Sequence, residues 1–375
     1  MQKVTVLSEL SVGIDLHKTQ FTVCAILSDG EILLEKQYET KKEGYQAFIK
    51  NMHSFEKERS CTIALAVEAT CNARFFRNMM IREFFRVVVV NTNRFELISK
   101  STKKTDKHDA AELAYYLSKD MLPESHLCDE KEEEIRRLLK TRSILVSTEV
   151  KIKNQVHGML LGHGEVTKSA QLQSKKKRQE LIDSLGQDPY TKTVVASLKE
   201  MFTILDSLIV SVNDLEKYIK ELVADDEDYK LLNTIPGVGF VTAATISCYT
   251  KNLDRFEGDY KKFCSYAGLT PYIHSSNKTE HIGHITKHGP VELRTSFVQM
   301  CMGLLRNTKK TGEWRLLVNY QNMKQTKGSG KSIIATSRKL ARIVFVMLSR
   351  REEFNSSLMI KAVGHSLSVD EVIGA

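Results

Sequence analysis

Four carboxylates occupy positions where a carboxylate is costly. Asp15 lies inside the apolar segment SVGIDLHK, and Glu68 closes the apolar run TIALAVEA. A charge buried there without a partner costs several kcal/mol. Asp106 and Asp109 follow in KKTDKHDAAELA, three residues apart, so a helix turns both to one side, where like charges repel. Alone, the second pair reads as helix-start charge, with Asp106 as an N-cap and Asp109 as a first-turn acid complementing the helix dipole. With Asp15 and Glu68 they describe a site for two divalent ions, which coordinate and activate phosphate oxygens. Lys103, Lys104 and Lys107 beside them are candidate phosphate contacts, or else a solvated charge run.

A second stretch, TPYIHSSNKTEHIG, carries adjacent hydroxyls, Ser275 and Ser276, and together with the residues just after it offers cationic and imidazole side chains: Lys278, His281, His284, Lys287 and His288. A serine hydroxyl attacks phosphorus near neutral pH only when deprotonated or offered an electrostatically stabilised phosphate. A helix beginning near Pro290, with Gly289 as its cap, would point backbone amides toward the same region. On residue types alone both serines also fit as ordinary turn residues. IPGVG, residues 235–239, reads either as a helix-hairpin-helix loop, with Gly237 and Gly239 admitting a phosphate to the backbone, or as a tight turn in the core. KGSGKS, residues 327–332, is no P-loop because Gln325 stands where the first glycine belongs, so ATP is not expected. A flexible loop or a basic backbone contact fits it better.

These groups need elements to position them. SVGIDLHK, QFTVCAIL and EILLEKQYE read as three consecutive strands, GYQAFIKNM as a helix, and TIALAVEA as a buried strand. A helix over CNARFFRNMMIREF, a strand FRVVVVN and a helix HDAAELAYYLSK complete an α/β domain over residues 1–125, in an RNase H-like order. Residues 126–228 are expected to be helical. Val194, Leu198, Met201, Leu205, Leu208, Val212, Leu215, Ile219 and Leu222 recur in steps of four and three, the pattern of a coiled coil or an antiparallel hairpin, which DDED ends. Residues 229–355 read as a mostly α domain with a loop-rich, histidine-rich centre and a last helix around residues 332–354, followed by a tail over 356–375.

Of 375 residues, 42% are hydrophobic and 27% charged, which fits a globular chain and excludes wholesale disorder. Lys and Arg outnumber Asp and Glu by 55 to 46, for a net charge of +9, a bias suited to a polyanionic partner. Seven scattered cysteines without a CxxC pair argue against a disulfide framework or a structural zinc. No secretory leader and no apolar run of about 18 residues is visible, so a cytoplasmic protein without a membrane partner is expected.

VGIDLHK, VEAT and KTDKHDAAELA, then IPGVG, FCSYAGLTP, the serine-containing loop and GHITKHG, stand in an order and spacing that resemble the DEDD-type transposases of insertion sequences. That family includes the Piv-type DNA invertases and the bridge-RNA-guided recombinases, and the resemblance spans about residues 11–350. It implies a RuvC-like N-terminal domain whose DEDD residues are Asp15, Glu68, Asp106 and Asp109, a coiled-coil linker, and a C-terminal transposase domain with a catalytic serine. Aligned from Pro271 that serine is Ser276, with Ser275 adjacent; Asn277 replaces the glycine the family commonly places next. The resemblance further implies Mg²⁺-dependent cleavage and exchange of DNA strands through a phosphoserine intermediate. Donor and target DNA, a structured guide RNA from the element, and a tetramer built from dimers with composite sites would be its partners, in a bacterial cytoplasm near the nucleoid. Lys103, Lys104, Lys107, Gly237, Gly239, Lys278, Lys287 and Arg294 are the nucleic-acid contacts this scheme would use. The alternative is a RuvC-like nuclease or Holliday-junction resolvase using metal-activated water.

Overall fold

Short joints force the first three strands to run antiparallel. These are β1 (Glu9–Leu16), β2 (Gln20–Ile26) and β3 (Ile32–Glu39). Helix α1 (Lys42–Arg59) then carries the chain across, and β4 (Thr62–Glu68) joins β1 in parallel; α2 (Ala73–Arg82) does the same for β5 (Arg86–Val90), parallel to β4. The strand order is β3-β2-β1-β4-β5, which puts β1 at the centre. The short α3 (Thr92–Phe95) and then α4 (Asp106–Ser118) follow. The structure is a computed structural model that describes residues 9–95, 105–187, 189–276 and 279–360. It divides into two compact units, Met1–Cys128 and Asp129–Ala375.

Period-two alternation sends the two faces of the sheet to different cores. Leu10, Val12, Ile14 and Leu16 of β1 and Ile63, Leu65 and Val67 of β4 pack with Phe48 and Met52 of α1 and Phe76 and Met80 of α2. Phe21, Tyr38, Tyr45, Phe48 and Phe76 lie ring against ring there, with centroids 5.3–6.2 Å apart. Each such buried ring contributes roughly 2–3 kcal/mol through apolar burial. The other face belongs to α4: Ala64, Ala66, Val88 and Val90 meet Leu113 and Leu117, and Cys24 and Ile26 meet Ala110 and Ala114. Gly13 sets how close α4 comes, since a Cβ there would lie 2.0 Å from the Ala110 carbonyl oxygen and 2.4 Å from the Ala114 nitrogen.

The second unit is helical apart from one hairpin. Its first elements are α5 (Glu130–Leu161), α6 (Ser169–Gln173), α7 (Lys175–Leu185) and α8 (Lys192–Val223). The apolar seam of α8 is met by α5 of the same chain in antiparallel fashion. Val156 and Leu160 pack with Leu198, Phe202 and Leu205, while Ile135 and Leu139 pack with Ile219 and Val223. The two rows of the heptad differ: Leu198, Leu205, Val212 and Ile219 are buried, whereas Val194, Met201, Leu208, Leu215 and Leu222 are only partly covered.

The DDED run is the joint after α8, where Asp226 caps α9 (Glu227–Asn233) by accepting from the Tyr229 amide. The rest is α10 (Phe240–Thr250), α11 (Tyr260–Tyr266), β6 (Pro271–Ser276), β7 (Thr279–Ile285), α12 (Val291–Arg306), α13 (Thr308–Thr311) and α14 (Arg315–Arg350). Phe263 of α11, Phe297 and Met300 of α12, and Leu340, Val344 and Phe345 of α14 form its core.

Three local expectations are corrected. The stretch expected to be loop-rich contains α11 and the antiparallel β6–β7 hairpin, because the β-branched Thr279, Ile282 and Ile285 suit a strand. KGSGKS is not a loop but holds the kink of α14, where two helical segments meet at Gly328, whose φ of 77° is a glycine conformation. The helical segment of α14 after Gly328 is the expected last helix, with another from Arg315 before it, and α12 starts at Val291 with Pro290 rather than Gly289 as its cap.

Candidate functional site

The carboxylates converge through sheet register and helix start. The pairing that matches Ile14 with Val67 brings Asp15 and Glu68 to the same level on neighbouring strands, at the ends of β1 and β4. By alternation both belong to the face that α4 covers. Thr105 caps α4, its hydroxyl accepting from the His108 amide at 3.3 Å, so Asp106 is the first helical residue and not the cap that its position suggested. Asp106 and Asp109 share the first turn.

Within this group the tightest set is Asp15, Asp106 and His17, whose ligand atoms all lie within 4.8 Å of one another. His17 Nε2 stands 2.9 Å from Asp15 Oδ2 and 3.6 Å from Asp106 Oδ1. The Asp15 side chain is 15% exposed, while those of His17 and Asp106 are about half exposed. Burial pushes the Asp15 carboxyl above the ordinary aspartate range; His17 opposes that shift, and the negative charges of Asp106 and Asp109 add to it. Such a strained carboxylate is relieved by a cation between the acids, and two carboxylates with an imidazole form a donor set that a divalent ion accepts. Glu68 and Asp109 border this tight set without belonging to it.

His17 was not singled out by the sequence reasoning above. The signal was present: in DLH, residues i and i+2 of a strand share a face. Its backbone is fixed on three sides. The His17 amide donates to Gln20 O at 3.0 Å, and its carbonyl accepts from Thr40 Oγ1 at 3.0 Å and Asn72 Nδ2 at 3.2 Å.

In the second unit Ser276 ends β6, in register with Thr279, and Ser275 pairs with Glu280. The base of the hairpin is set by close backbone approach. Gly289, at φ 90°, would bring a Cβ within 1.9 Å of the Tyr266 carbonyl oxygen, so the KHGP and SYAG stretches can touch only through glycine. Arg294 of α12 donates to the Lys287 carbonyl at 3.1 Å, which pins the exposed segment between hairpin and helix. Gly237 packs against Gly303 of α12, where a Cβ would lie 2.9 Å from the Gly303 carbonyl, so the turn sense of IPGVG is satisfied. Gly239 caps α10 in open space. Lys107 is exposed on α4. Lys103, Lys104 and Lys278, together with Asn277, lie outside the described residues. Among the described residues no helix is long and apolar enough to cross a membrane.

Two family models match the chain: a DEDD transposase model over residues 12–164 and the transposase IS116/IS110/IS902 family over residues 229–315. The chain is 24% identical to the transposase for insertion sequence element IS1111A of Coxiella burnetii, covering 92% of this chain and 90% of that protein. It is 23% identical to the transposase for element IS1328 of Yersinia enterocolitica, over 92% and 98% of the two chains. The pilin gene-inverting protein of Moraxella bovis is 24% identical over 94% of this chain and 99% of its own. Both matched segments contain residues already described: Asp15, Glu68, Asp106 and Asp109 in the first, and Ser276 in the second.

Proposed function

Because the chain belongs to the DEDD, IS110-type insertion-sequence transposases, enzymes of DNA recombination, we propose that it cleaves and exchanges DNA strands through two sets of its own residues. Asp15, Glu68, Asp106 and Asp109 hold divalent ions, Mg²⁺ in the cell, and Ser276 is the nucleophile. The observation that carries the first part is the convergence of Asp15 and Asp106, 91 positions apart in the chain, on one end of the sheet. The β3-β2-β1-β4-β5 order, with β4 and β5 parallel to the centre, supports an RNase H-like assignment of this unit. A bound divalent ion supplies positive charge for the phosphate oxygens as negative charge builds on them.

The Ser276 oxygen attacks a DNA phosphorus, forming a Ser–O–P bond as the P–O bond to the departing strand breaks. The serine proton ends on the released DNA hydroxyl. Bond energy is thereby kept for the reverse attack by a second strand, and no ATP is consumed. Lys278, Lys287 and Arg294 neighbour the nucleophile in sequence and offer charge for the phosphate; Lys103, Lys104, Lys107 and the Gly237–Gly239 turn offer backbone contacts elsewhere. Base pairing by an element-encoded RNA would choose the sequence, leaving the protein to bind backbone through its basic excess. A tetramer with composite sites, and pairing between chains through the half-covered heptad row of α8, complete the scheme.

The test is strand exchange on a supercoiled substrate. Asp15→Asn and Asp106→Asn should each abolish it, and chelation should abolish it in the unaltered protein. Full exchange in EDTA would overturn the metal assignment.

A further inference from the structure

Asp15 and Asp106 do not face each other alone, because the His17 imidazole stands between them. We infer that His17 is a ligand of the ion held by Asp15 and Asp106, and that this nitrogen makes the position prefer Mn²⁺ to Mg²⁺ and Ca²⁺. The inference rests on the metal-binding reading above and sharpens it.

The first support is geometric. Neighbouring ligands on an octahedral ion with bonds of about 2.1 Å stand about 3 Å apart, and opposite ones about 4.2 Å apart. The Nε2 separations of 2.9 and 3.6 Å from the two carboxylate oxygens fall in or between these distances, and the whole set lies within 4.8 Å. An ion can therefore take all three donors with side-chain adjustments of less than an ångström.

The second support is preorganisation. The His17 backbone is tied to Gln20, Thr40 and Asn72, and its imidazole Nε2 meets Asp15 Oδ2 at 2.9 Å. Asn72 Oδ1 in turn accepts from Thr70 Oγ1 at 2.9 Å, which orients the amide that holds the His17 carbonyl. The ties come from the β2 start, the end of β3 and the loop after β4, so the backbone that carries the imidazole is fixed by the same sheet that positions Asp15 and Glu68.

The third support is ligand chemistry. Mg²⁺ and Ca²⁺ take oxygen donors and gain little from imidazole, whereas first-row transition ions bind it well. An all-carboxylate site would rank these ions by charge and size alone; adding a nitrogen tilts the order toward Mn²⁺.

The experiment loads the full chain with Mn²⁺ alone, measures its affinity by competition against Mg²⁺, and records pulsed electron paramagnetic resonance of the bound ion. The expected result is a ¹⁴N modulation from a directly bound imidazole, lost in His17→Ala while Mn²⁺ remains bound. The Mn²⁺-over-Mg²⁺ preference should fall about tenfold in that variant. His108→Ala, which removes the neighbouring imidazole paired with Glu112 at 3.4 Å, should keep the ¹⁴N signal. Mn²⁺ bound through Asp15 without ¹⁴N modulation, or a modulation that persists in His17→Ala, would overturn this inference and leave the metal site standing. Failure to bind Mn²⁺ at all, with Asp15→Asn no different from the unaltered chain, would overturn both.

Discussion

In the first unit the carboxylates proposed to hold metal sit where a sheet's register puts them, at the ends of its central strands and on a helix packed against it. In the second, the serine ends one strand of a two-stranded hairpin, outside the helical core built from α11, α12 and α14. The first arrangement brings together like charges that repel, and it must overdetermine their positions. Gly13, the Thr105 cap and the three ties on His17 do this. The second brings no carboxylates together, and its hairpin base is held by the Gly289–Tyr266 contact and the Arg294 tether. The proposed metal site thus draws on long-range topology, while the proposed nucleophile draws on local strand pairing.

The largest effect that tests this contrast is on chemistry without stability. Asp15→Asn should lower strand exchange by about a thousandfold, yet leave the ion-free protein as stable or more so, because a carboxylate crowded by burial and by Asp106 and Asp109 is removed. Urea unfolding beside a cleavage assay would read both. A marked loss of stability would mean that Asp15 is a structural partner. Gly13→Ala acts the opposite way. Its Cβ collides with the α4 backbone, so the change should cost about 3 kcal/mol and weaken Mn²⁺ binding by displacing Asp106. Full ion affinity in that variant would break the link between close packing and the site.

Next comes the second unit's own charge network. Burial pushes the Asp226 carboxyl up, but hydrogen bonds from Lys251 at 2.5 Å, Ser247 at 2.6 Å and the Tyr229 amide outweigh it and hold it below the usual range. A folded-state value below the unfolded one stabilises the protein above the ordinary aspartate value of 3.8, and that stability is lost as pH falls through the folded value. Asp226→Ala should cost about 3 kcal/mol near neutral pH and flatten the acid limb of the unfolding profile. An unchanged acid limb would assign the lability elsewhere. The smallest effect is expected of Arg294→Ala, about 1 kcal/mol, with a several-fold loss of strand exchange as the Lys287 segment loses its tether. Equal losses of stability and activity would make Arg294 merely structural.

Much of the first unit was legible in the sequence. Period-two apolar runs with short polar joints marked β1 to β3, and the continuous runs TIALAVEA and FRVVVVN marked β4 and β5. The acids stood out because they interrupt those runs. His17 did not, since a histidine just past a strand end costs nothing and signals nothing until the fold folds it back over Asp106. The Thr105 cap was hidden by the stronger cap preference of the aspartate beside it. In the second unit the heptads located α8 but could not name its partner, because an apolar seam fits a helix of the same chain or of another. The hairpin was obscured by polar and histidine residues that strands use less, and the part of α14 before Gly328 by the polar run QNMKQTKGSGK that ends it. The short α3, α6 and α13 have too few turns to show a period, and α7 was masked by its lysine-rich start.

The most direct test of the account is to map the covalent link itself. Incubation with end-labelled element-end DNA, denaturation, and mass spectrometry of the protein–nucleotide adduct should place a phosphodiester on Ser276. The adduct should be absent from Ser276→Ala, retained by Ser275→Ala, and lost on chelation. An adduct on another residue, or cleaved DNA with free ends and no adduct in the unaltered protein, would contradict it.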